Sequence, residues 1–305
     1  MKDYAFLFPG QGSQVVGMGK DLYENTEFGK QTFKLADEIL GFSLSKICFE
    51  GPEQELQLTY HGQPALLTVS YILYTLLEVE PLVAAGHSLG EYSALLCAGA
   101  IKFEDAVLLV HKRGKYMQEA VPVGKGAMAA VMGADIDTIK QAISEVDGIV
   151  NVANWNGSTQ VVISGEKAAV EEAVKKIAAR KTKFLPVSAP FHSELMIPAE
   201  EKLSIDLDNI EFKDLRFPVI NNIAASEVTG GDHARYSLKK QVTRPVLWHD
   251  TMIKLLEEKG MTKFAEIGSG KVLTGLSKRA ARECGIEIKP VSIQNLEDLR
   301  AVYKN

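Results

Sequence analysis

The sequence has little cysteine, and the cysteines it has are not spaced as pairs. Cys48, Cys97 and Cys284 are the three cysteines in 305 residues, an odd number, and none belongs to a Cys-x-x-Cys motif. This usage argues against a disulfide framework and against a zinc site built from cysteines. It is typical of proteins in a reducing compartment, so we predict a cytoplasmic location and no metal site.

Long apolar runs and an excess of basic residues are also absent. No stretch approaches the ~18 apolar residues that a membrane span requires. The N-terminal apolar run is short and is broken at Pro9, which argues against a signal peptide. The 34 Lys and Arg residues against 39 Asp and Glu give a formal net charge of −5, whereas nucleic-acid binders and binders of anionic membranes usually carry a basic excess. We therefore predict neither a nucleic-acid nor a membrane partner.

The chain does contain an alternation of short β-rich runs and longer helical patterns, which is typical of α/β architecture. A length of 305 residues favours two lobes over a single small core. The pattern predicts strands over residues 4–8 and 82–85, and helices over residues 68–77, 92–98 and 103–120.

The middle of the chain follows a different order. Strands are predicted over residues 128–132, 149–153, 160–164 and 184–187, and helices over residues 137–146 and 168–179. The resulting order, βαββαβ, is the ferredoxin-like plan. We therefore predict a small domain of residues 124–189 inserted into a large α/β domain of residues 1–123 and 190–305. A ligand crevice is expected between the two domains.

The segment Gly86-His87-Ser88-Leu89-Gly90 has the G-x-S-x-G pattern of a nucleophile elbow and stands between a predicted strand and a predicted helix. The glycines allow the sharp turn that exposes the hydroxyl of Ser88. The N-terminus of the following helix offers free N–H groups to a developing negative charge. The alternative is a tight turn in which the serine only caps the helix.

A serine nucleophile requires a base, normally a histidine. Of the six histidines, His87 is a poor candidate because side chains adjacent on an elbow diverge. His192 follows Pro190-Phe191, where the chain leaves the predicted small domain. This position at the mouth of the crevice makes His192 the favoured base, and a structural histidine is the alternative.

The first predicted strand ends in Pro9-Gly10-Gln11-Gly12. Glycines on both sides of Gln11 let the backbone approach a ligand closely, so its N–H is a candidate oxyanion donor. The alternatives are a plain turn and a dinucleotide site, and the glycine spacing supports the latter only weakly. Residues 268–272 resemble a P-loop superficially, but they lack its first glycine and its Ser or Thr, and we reject that interpretation.

Arg113 falls on the apolar side of the helix predicted over residues 103–120. An inward arginine requires an anionic partner, because a buried unpaired charge is costly. One interpretation is an internal ion pair with a carboxylate of the protein. The other is a bidentate clamp for the carboxylate of a substrate. Helical periodicity does not separate the two.

Together these motifs resemble the malonyl-CoA:acyl carrier protein transacylases of bacterial fatty-acid synthesis. The resemblance extends over nearly the whole chain, through the segments at residues 9–14, 63–66, 86–93, 112–114, 153–154, 162–165, 190–193, 241–245, 266–268 and 270–273. It implies a hydrolase-like large domain with a parallel sheet, and an inserted ferredoxin-like domain.

The resemblance also implies roles for individual residues. Ser88 becomes the acylated nucleophile and His192 its base, with the histidine held by the backbone carbonyl of Gln241. The backbone N–H groups of Gln11 and Leu89 become the oxyanion donors. In addition, Arg113 becomes the partner of the malonyl carboxylate, and Phe191 narrows the space beside the α-carbon of the acyl group.

The activity implied is transfer of malonyl from malonyl-CoA to the phosphopantetheine thiol of an acyl carrier protein. It proceeds by a ping-pong mechanism without a cofactor, and we expect a monomer. An acyltransferase serving a polyketide synthase, a serine thioesterase or esterase, and a non-catalytic carrier-binding subunit are the alternatives. The acidic carrier requires a basic surface, and the sequence offers two candidate surfaces. The one on the small domain consists of Lys175, Lys176, Arg180, Lys181 and Lys183, and the one on the large domain consists of Lys271, Lys278, Arg279 and Arg282.

Overall fold

A computed structural model describes residues 1–187 and 189–304; Ser188 and Asn305, which belong to the predicted small and large domains, lie outside the described residues. The strands are β1 (Ala5–Phe8), β2 (Val83–Gly86), β3 (Gly126–Met132), β4 (Val150–Gly157), β5 (Gln160–Glu166), β6 (Lys181–Phe184), β7 (Val219–Ile220), β8 (Lys263–Ile267) and β9 (Lys289–Ile293).

The helices alternate with these strands along most of the chain. They are α1 (Lys20–Asn25), α2 (Glu27–Leu40), α3 (Leu44–Glu50), α4 (Glu53–Gln57), α5 (Thr59–Leu77), α6 (Leu89–Cys97), α7 (Phe103–Glu119), α8 (Ile136–Ser144), α9 (Lys167–Lys176), α10 (Ile197–Asp208), α11 (Gly231–Gln241), α12 (Trp248–Ile253), α13 (Val272–Glu283) and α14 (Leu296–Lys304). A 3-10 turn at Glu194–Met196 precedes α10, and a π-helical turn at Lys254–Glu258 follows α12.

A parallel sheet carries the larger part of the fold. Its strand order among the described residues is β7-β2-β1-β8-β9, and every neighbouring pair is parallel. The strands β1 and β2 are buried along their whole length, as expected for parallel strands that helices cover on both faces. The register pairs Phe8 with Gly86, so β1 and β2 end side by side at the carboxyl edge of the sheet.

A separate antiparallel sheet is formed by the middle of the chain. Its order is β4-β5-β3-β6, and α8 and α9 pack against it through a cluster that includes Ile139, Ile163 and Val170. The βαββαβ order and the mixed α/β class are thus confirmed. The exact limits of the two domains, residues 124 and 189, stay a prediction.

Backbone hydrogen bonds join the antiparallel sheet to the segment that follows α11, in the predicted large domain. The N–H of Trp155 on β4 donates to the carbonyl of Val246, 2.9 Å away, and the N–H of Val246 donates to the carbonyl of Ala153 at 2.9 Å. A crevice of about 560 Å³ lies between β4 and the chain that follows α11, and its lining includes Asn151, Glu194 and Arg244. Its lining does not include Ser88, His192 or Arg113, so the ligand crevice expected between the domains stays a prediction.

The helix predicted over residues 68–77 ends at the correct residue but begins too late, since α5 begins at Thr59. Pro64 lies inside α5 and has no N–H to donate to the carbonyl of Tyr60. The Nδ1 of His111 on α7 lies 2.7 Å from that carbonyl oxygen and donates to it instead. A tertiary contact therefore compensates for the proline, and local sequence does not reveal it.

The strand predicted over residues 184–187 was displaced along the chain. Strand β6 is Lys181–Phe184 and pairs with Ala129–Met132 at the edge of the antiparallel sheet. The predicted segment, residues 184–187, extends beyond Phe184, the last residue of β6 that pairs with β3. Lysines are common on edge strands, so Lys181 and Lys183 fit the observed position.

None of the described helices combines the length and the apolar character needed to cross a membrane. The cysteines are free thiols, with Cys48 and Cys97 buried.

Candidate active site

Ser88 stands on a sharp turn between β2 and α6. Its backbone has φ 52° and ψ −106°, a conformation that non-glycine residues rarely adopt. A Cβ atom at Gly90 would lie 2.0 Å from the carbonyl oxygen of Phe8, and one at Gly86 would lie 1.9 Å from the backbone of Gly90. Glycine is therefore required on both sides of Ser88, which is the geometry of a nucleophile elbow.

His192 contacts Ser88 directly. Its Nε2 lies 2.8 Å from the Oγ of Ser88, and its Nδ1 lies 2.8 Å from the carbonyl oxygen of Gln241. Because a carbonyl only accepts, Nδ1 carries the proton and Nε2 presents its lone pair to the serine hydroxyl. The structure thus brings together Ser88, His192 and the Gln241 carbonyl, three of the predicted site residues.

The environment of His192 favours the neutral imidazole. Burial, followed by the nearby charge of Arg113, lowers the pKa of His192 to about 3, while the hydrogen bond to Gln241 opposes the shift. His192 is therefore unprotonated at neutral pH and is available as a general base.

Arg113 reaches the same serine from α7. Its Nη2 lies 3.1 Å from the Oγ of Ser88 and 2.9 Å from Oε1 of Gln241, and its Nη1 lies 2.8 Å from Oε1 of Gln63. The guanidinium also packs over the ring of Tyr92, 5.2 Å from the ring centroid. Arg113 is 1% exposed, and this burial lowers its pKa.

The partners of Arg113 distinguish between the two interpretations of this residue. The ion pairs found among residues 1–187 and 189–304 do not include it. Its hydrogen-bond acceptors are two uncharged side-chain amides and a hydroxyl. The geometry thus lacks the internal ion pair and leaves the guanidinium able to take an anion beside Ser88.

The side-chain amides of Asn222 and Gln241 hold the backbone of the elbow through hydrogen bonds. The Oδ1 of Asn222 accepts from the N–H of Ser88 at 2.8 Å, and the Nδ2 of Asn222 donates to the carbonyl of Gly86 at 2.7 Å. The side chain of Gln241 donates through Nε2 to the carbonyl of Ser88 at 3.0 Å and to Glu91 at 2.7 Å. Sequence reasoning missed Gln63, Asn222 and the amide of Gln241. Gln63 and Gln241 lie in the segments at residues 63–66 and 241–245 that carry the resemblance, whereas Asn222 has no signal in the sequence.

The predicted oxyanion donors lie at the same edge of the sheet. Leu89 is the first residue of α6, so its N–H has no acceptor within the helix. Gln11 lies in the loop that leaves β1, and its side chain donates to the Oγ1 of Thr59 at 3.3 Å. The N–H of His87 donates to the carbonyl of Phe8 at 3.1 Å, which ties the start of this loop to the elbow.

Phe191 and His87 are the sequence neighbours of His192 and Ser88. Phe191, directly before His192, is buried at 7% exposure. The Nε2 of His87 lies 2.8 Å from Oδ1 of Asn156 on β4. His87 therefore contacts the small domain, whereas His192 contacts the hydroxyl of Ser88. Burial lowers the pKa of His87.

The described residues contain no group of three or more His, Cys, Asp or Glu side chains that could hold a metal ion. At the P-loop-like segment, the carboxylate of Glu266 accepts from the N–H groups of Leu273 and Thr274 at 3.1 and 2.7 Å. A side chain of the protein therefore occupies the N-terminus of α13, where a phosphate would bind in a P-loop.

Comparison with known proteins identifies similar chains over the whole length. The sequence profile of the acyl transferase domain family matches residues 5–301. The malonyl CoA-acyl carrier protein transacylase of Bacillus subtilis is 46% identical, over 98% of this chain and 96% of the relative. The protein of the same name from Escherichia coli strain K12 is 46% identical over 92% of this chain and 93% of the relative.

Solved structures give the same result. An acyl carrier protein S-malonyltransferase from Vibrio cholerae matches with a TM-score of 0.93 at 41% identity, covering 98% of this chain and 99% of the other. A malonyl-transacylase in complex with a type II PKS acyl-carrier protein matches with a TM-score of 0.94 at 41% identity, covering 99% and 100%. Both matches extend over the parallel and the antiparallel sheet.

Proposed function

The chain belongs to the acyl transferase domain family, and we propose that it transfers malonyl groups from malonyl-CoA to the phosphopantetheine thiol of an acyl carrier protein in fatty-acid synthesis. The names of the relatives from Bacillus subtilis and Escherichia coli support this substrate and this acceptor. The single observation that carries the proposal is the buried Arg113, which lies 3.1 Å from the Oγ of Ser88 and has uncharged partners.

The first half-reaction acylates Ser88. His192 Nε2 takes the hydroxyl proton as Oγ attacks the thioester carbonyl, and the N–H groups of Leu89 and Gln11 stabilise the oxyanion that forms. When the tetrahedral intermediate collapses, the C–S bond breaks and the proton passes from His192 to the departing CoA sulfur. The product is a malonyl ester of Ser88, and no electron transfer or cofactor is needed.

The second half-reaction reverses these roles. The phosphopantetheine thiol of the carrier gives its proton to His192, and its sulfur attacks the ester carbonyl. The ester C–O bond then breaks, and Ser88 recovers its proton from His192. The hydrogen bond from Nδ1 to the Gln241 carbonyl, at 2.8 Å, holds the imidazole in the tautomer that both steps require.

Arg113 supplies the preference for a dicarboxylic acyl group. Gln63 and Gln241 hold the guanidinium from one side, and its distance from Ser88 suits a carboxylate one carbon beyond an acyl carbonyl on Oγ. A guanidinium and a carboxylate form a bidentate pair, and burial of this pair strengthens the attraction. Phe191 is proposed to limit the space at the α-carbon.

Replacement of Arg113 tests this assignment. In Arg113→Ala the malonyl carboxylate is buried without a partner, which typically costs ~3–5 kcal/mol. Acylation by malonyl-CoA should therefore fall by roughly two to four orders of magnitude, whereas acylation by acetyl-CoA should change little. The measurement is the malonyl-to-acetyl ratio of single-turnover acylation rates.

Arg113→Lys is the matched control, and it should rescue malonyl acylation only partly, because it keeps the charge without the fork. An equal fall in the acylation rates with both acyl groups would make Arg113 a structural residue and contradict the proposal.

The role of Phe191 is tested with methylmalonyl-CoA in the same assay. The substitution Phe191→Ser should raise the rate of acylation by methylmalonyl-CoA relative to that by malonyl-CoA by roughly 10- to 200-fold.

The carrier of a polyketide synthase is a second candidate acceptor, favoured by the related transacylase solved with such a carrier. Transfer rates to the two kinds of carrier distinguish these acceptors. The absence of a cofactor, the monomeric state, the cytoplasmic location and the basic docking surface stay predictions from the sequence.

A further inference from the structure

A carboxylate is buried directly beneath the elbow, and the reaction steps above do not use it. Glu91 lies three residues after Ser88 on α6 and has 0% exposure. It accepts hydrogen bonds from the N–H of Asn222 at 3.0 Å, the hydroxyl of Ser237 at 3.2 Å and Nε2 of Gln241 at 2.7 Å. Burial raises the pKa of Glu91 to about 7, against the effect of these three donors.

The contact with Gln241 determines which way its side-chain amide faces. The Nε2 group donates to Glu91 at 2.7 Å and to the carbonyl of Ser88 at 3.0 Å, while Oε1 accepts from Nη2 of Arg113 at 2.9 Å. The Nε2 group also lies 3.2 Å from Oδ1 of Asn222. A flipped amide would therefore place Oε1 against three acceptors, of which Glu91 is the nearest, and Nε2 against the guanidinium donor. The acceptor on Glu91 therefore disfavours the flip.

The orientation of this amide matters because it supports the Arg113 guanidinium. Arg113 has a second amide support, Gln63, on Nη1. The Nη2 group, which is the one beside Ser88, is supported by Gln241. A flipped Gln241 would push Nη2 away from the position that a malonyl carboxylate needs.

We propose that Glu91 is a positioning residue: through the acceptor that it presents to the amide of Gln241, it holds the Arg113 guanidinium beside Ser88 and thereby maintains the preference for malonyl over acetyl groups. This inference rests on the proposed function. Glu91 itself contacts neither substrate nor the reacting atoms.

Two conservative substitutions separate the acceptor from the charge. Glu91→Gln removes the charge but keeps an oxygen facing Gln241 and Asn222, with its amide nitrogen directed at the Ser237 hydroxyl. Glu91→Asp keeps the charge but withdraws the acceptor from Gln241 by one methylene. Ser237→Ala is the matched control, because it removes a donor to Glu91 and leaves the contact with Gln241 in place.

The experiment measures the single-turnover rates at which malonyl-CoA and acetyl-CoA acylate Ser88, with intact-protein mass spectrometry as the method. The result compared between variants is the ratio of the malonyl rate to the acetyl rate. Loss of a hydrogen bond that supports a charged group should lower this ratio in Glu91→Asp by roughly 10- to 100-fold. Glu91→Gln and Ser237→Ala should keep it within about threefold of the parent.

Three results would overturn the inference: an unchanged ratio in Glu91→Asp, an equal loss of both rates in that variant, or a loss of the ratio in Glu91→Gln as large as in Glu91→Asp. Should Glu91→Asp fail to fold, Gln241→Met tests the relay, since it removes the amide but keeps the backbone carbonyl. An unchanged ratio there also overturns the inference. Failure of the parent to form a malonyl-Ser88 ester would instead contradict the proposed function itself.

Discussion

His192, the proposed base, contacts the hydroxyl of Ser88 in an environment that keeps its imidazole neutral. Its ring lies between Ser88 and the Gln241 carbonyl, 2.8 Å from each. Burial and the positive charge of Arg113 both oppose protonation and lower its pKa to about 3. The neutral form of this proposed base therefore persists well below the pH at which an ordinary histidine becomes protonated.

This protonation state predicts an unusual pH profile. The substitution Glu91→Gln removes a buried carboxyl group whose pKa is raised to about 7. In this variant, kcat/KM for acylation by acetyl-CoA should stay constant between about pH 5 and 8. Acetyl-CoA is used because it adds no charge next to Arg113. A fall in the rate on acidification with a midpoint near the ordinary histidine pKa, about 6.5, would contradict the account.

The chemically distinctive residues were predictable, and their supports were not. Ser88 has a motif, and the helical phase of Arg113 places it on the buried side of α7. Gln63, Asn222 and Glu91 have no comparable signature, because an amide or carboxylate becomes functional only when the fold brings it next to a charge. The partners of Arg113 come from α5 and α11, 50 and 128 residues away in sequence.

The junction between β1 and α6 depends on close backbone contact. Gly90 lies on α6 where its Cα faces the carbonyl of Phe8, and a Cβ there would lie 2.0 Å from that oxygen. The strand and the helix would have to separate to accept a side chain. Because Ser88 has a positive φ at this junction, such a shift would also move this proposed nucleophile.

Gly90→Ala should therefore lower the free energy of unfolding by about 1–3 kcal/mol, the usual cost of overpacking, and should slow acylation. Gly275→Ala is the control, since a Cβ at Gly275 on α13 meets nothing within 4 Å, and alanine should stabilise that helix by about 0.5–1 kcal/mol. Urea denaturation of the two variants gives both values. Equal stability of Gly90→Ala and the parent would show that the junction tolerates a side chain.

The sequence patterns predicted which helices and strands form more accurately than they predicted where each begins and ends. The buried strands β1 and β2 and helix α7 were placed within one or two residues, because continuous apolar runs and helical periodicity mark them. The predicted start of α5 was wrong because the first turn of this helix depends on the hydrogen bond from His111 to the carbonyl of Tyr60. The predicted position of β6 was wrong because that strand is defined by its pairing at the edge of the antiparallel sheet.

The complete site draws on distant parts of the chain. Gln11 follows β1, Ser88 follows β2, and Asn222 follows β7, and these three strands are neighbours in the parallel sheet. The carboxyl ends of parallel strands share one edge, so their loops meet there. His192 enters where the chain returns from the antiparallel sheet. This convergence depends on the strand order of the parallel sheet, which local sequence patterns did not give.

The central claim, that Ser88 carries a malonyl group from malonyl-CoA to a carrier protein, has a direct test in intact-protein mass spectrometry. After incubation with malonyl-CoA and an acid quench, the parent should gain the mass of one malonyl group, mapped by peptide analysis to Ser88, and Ser88→Ala should gain none. Addition of carrier protein bearing phosphopantetheine should then remove the group from Ser88 and add it to the carrier. A malonyl adduct that persists in Ser88→Ala, or a malonyl-Ser88 ester that releases free malonate while the carrier stays unmodified, would contradict the account.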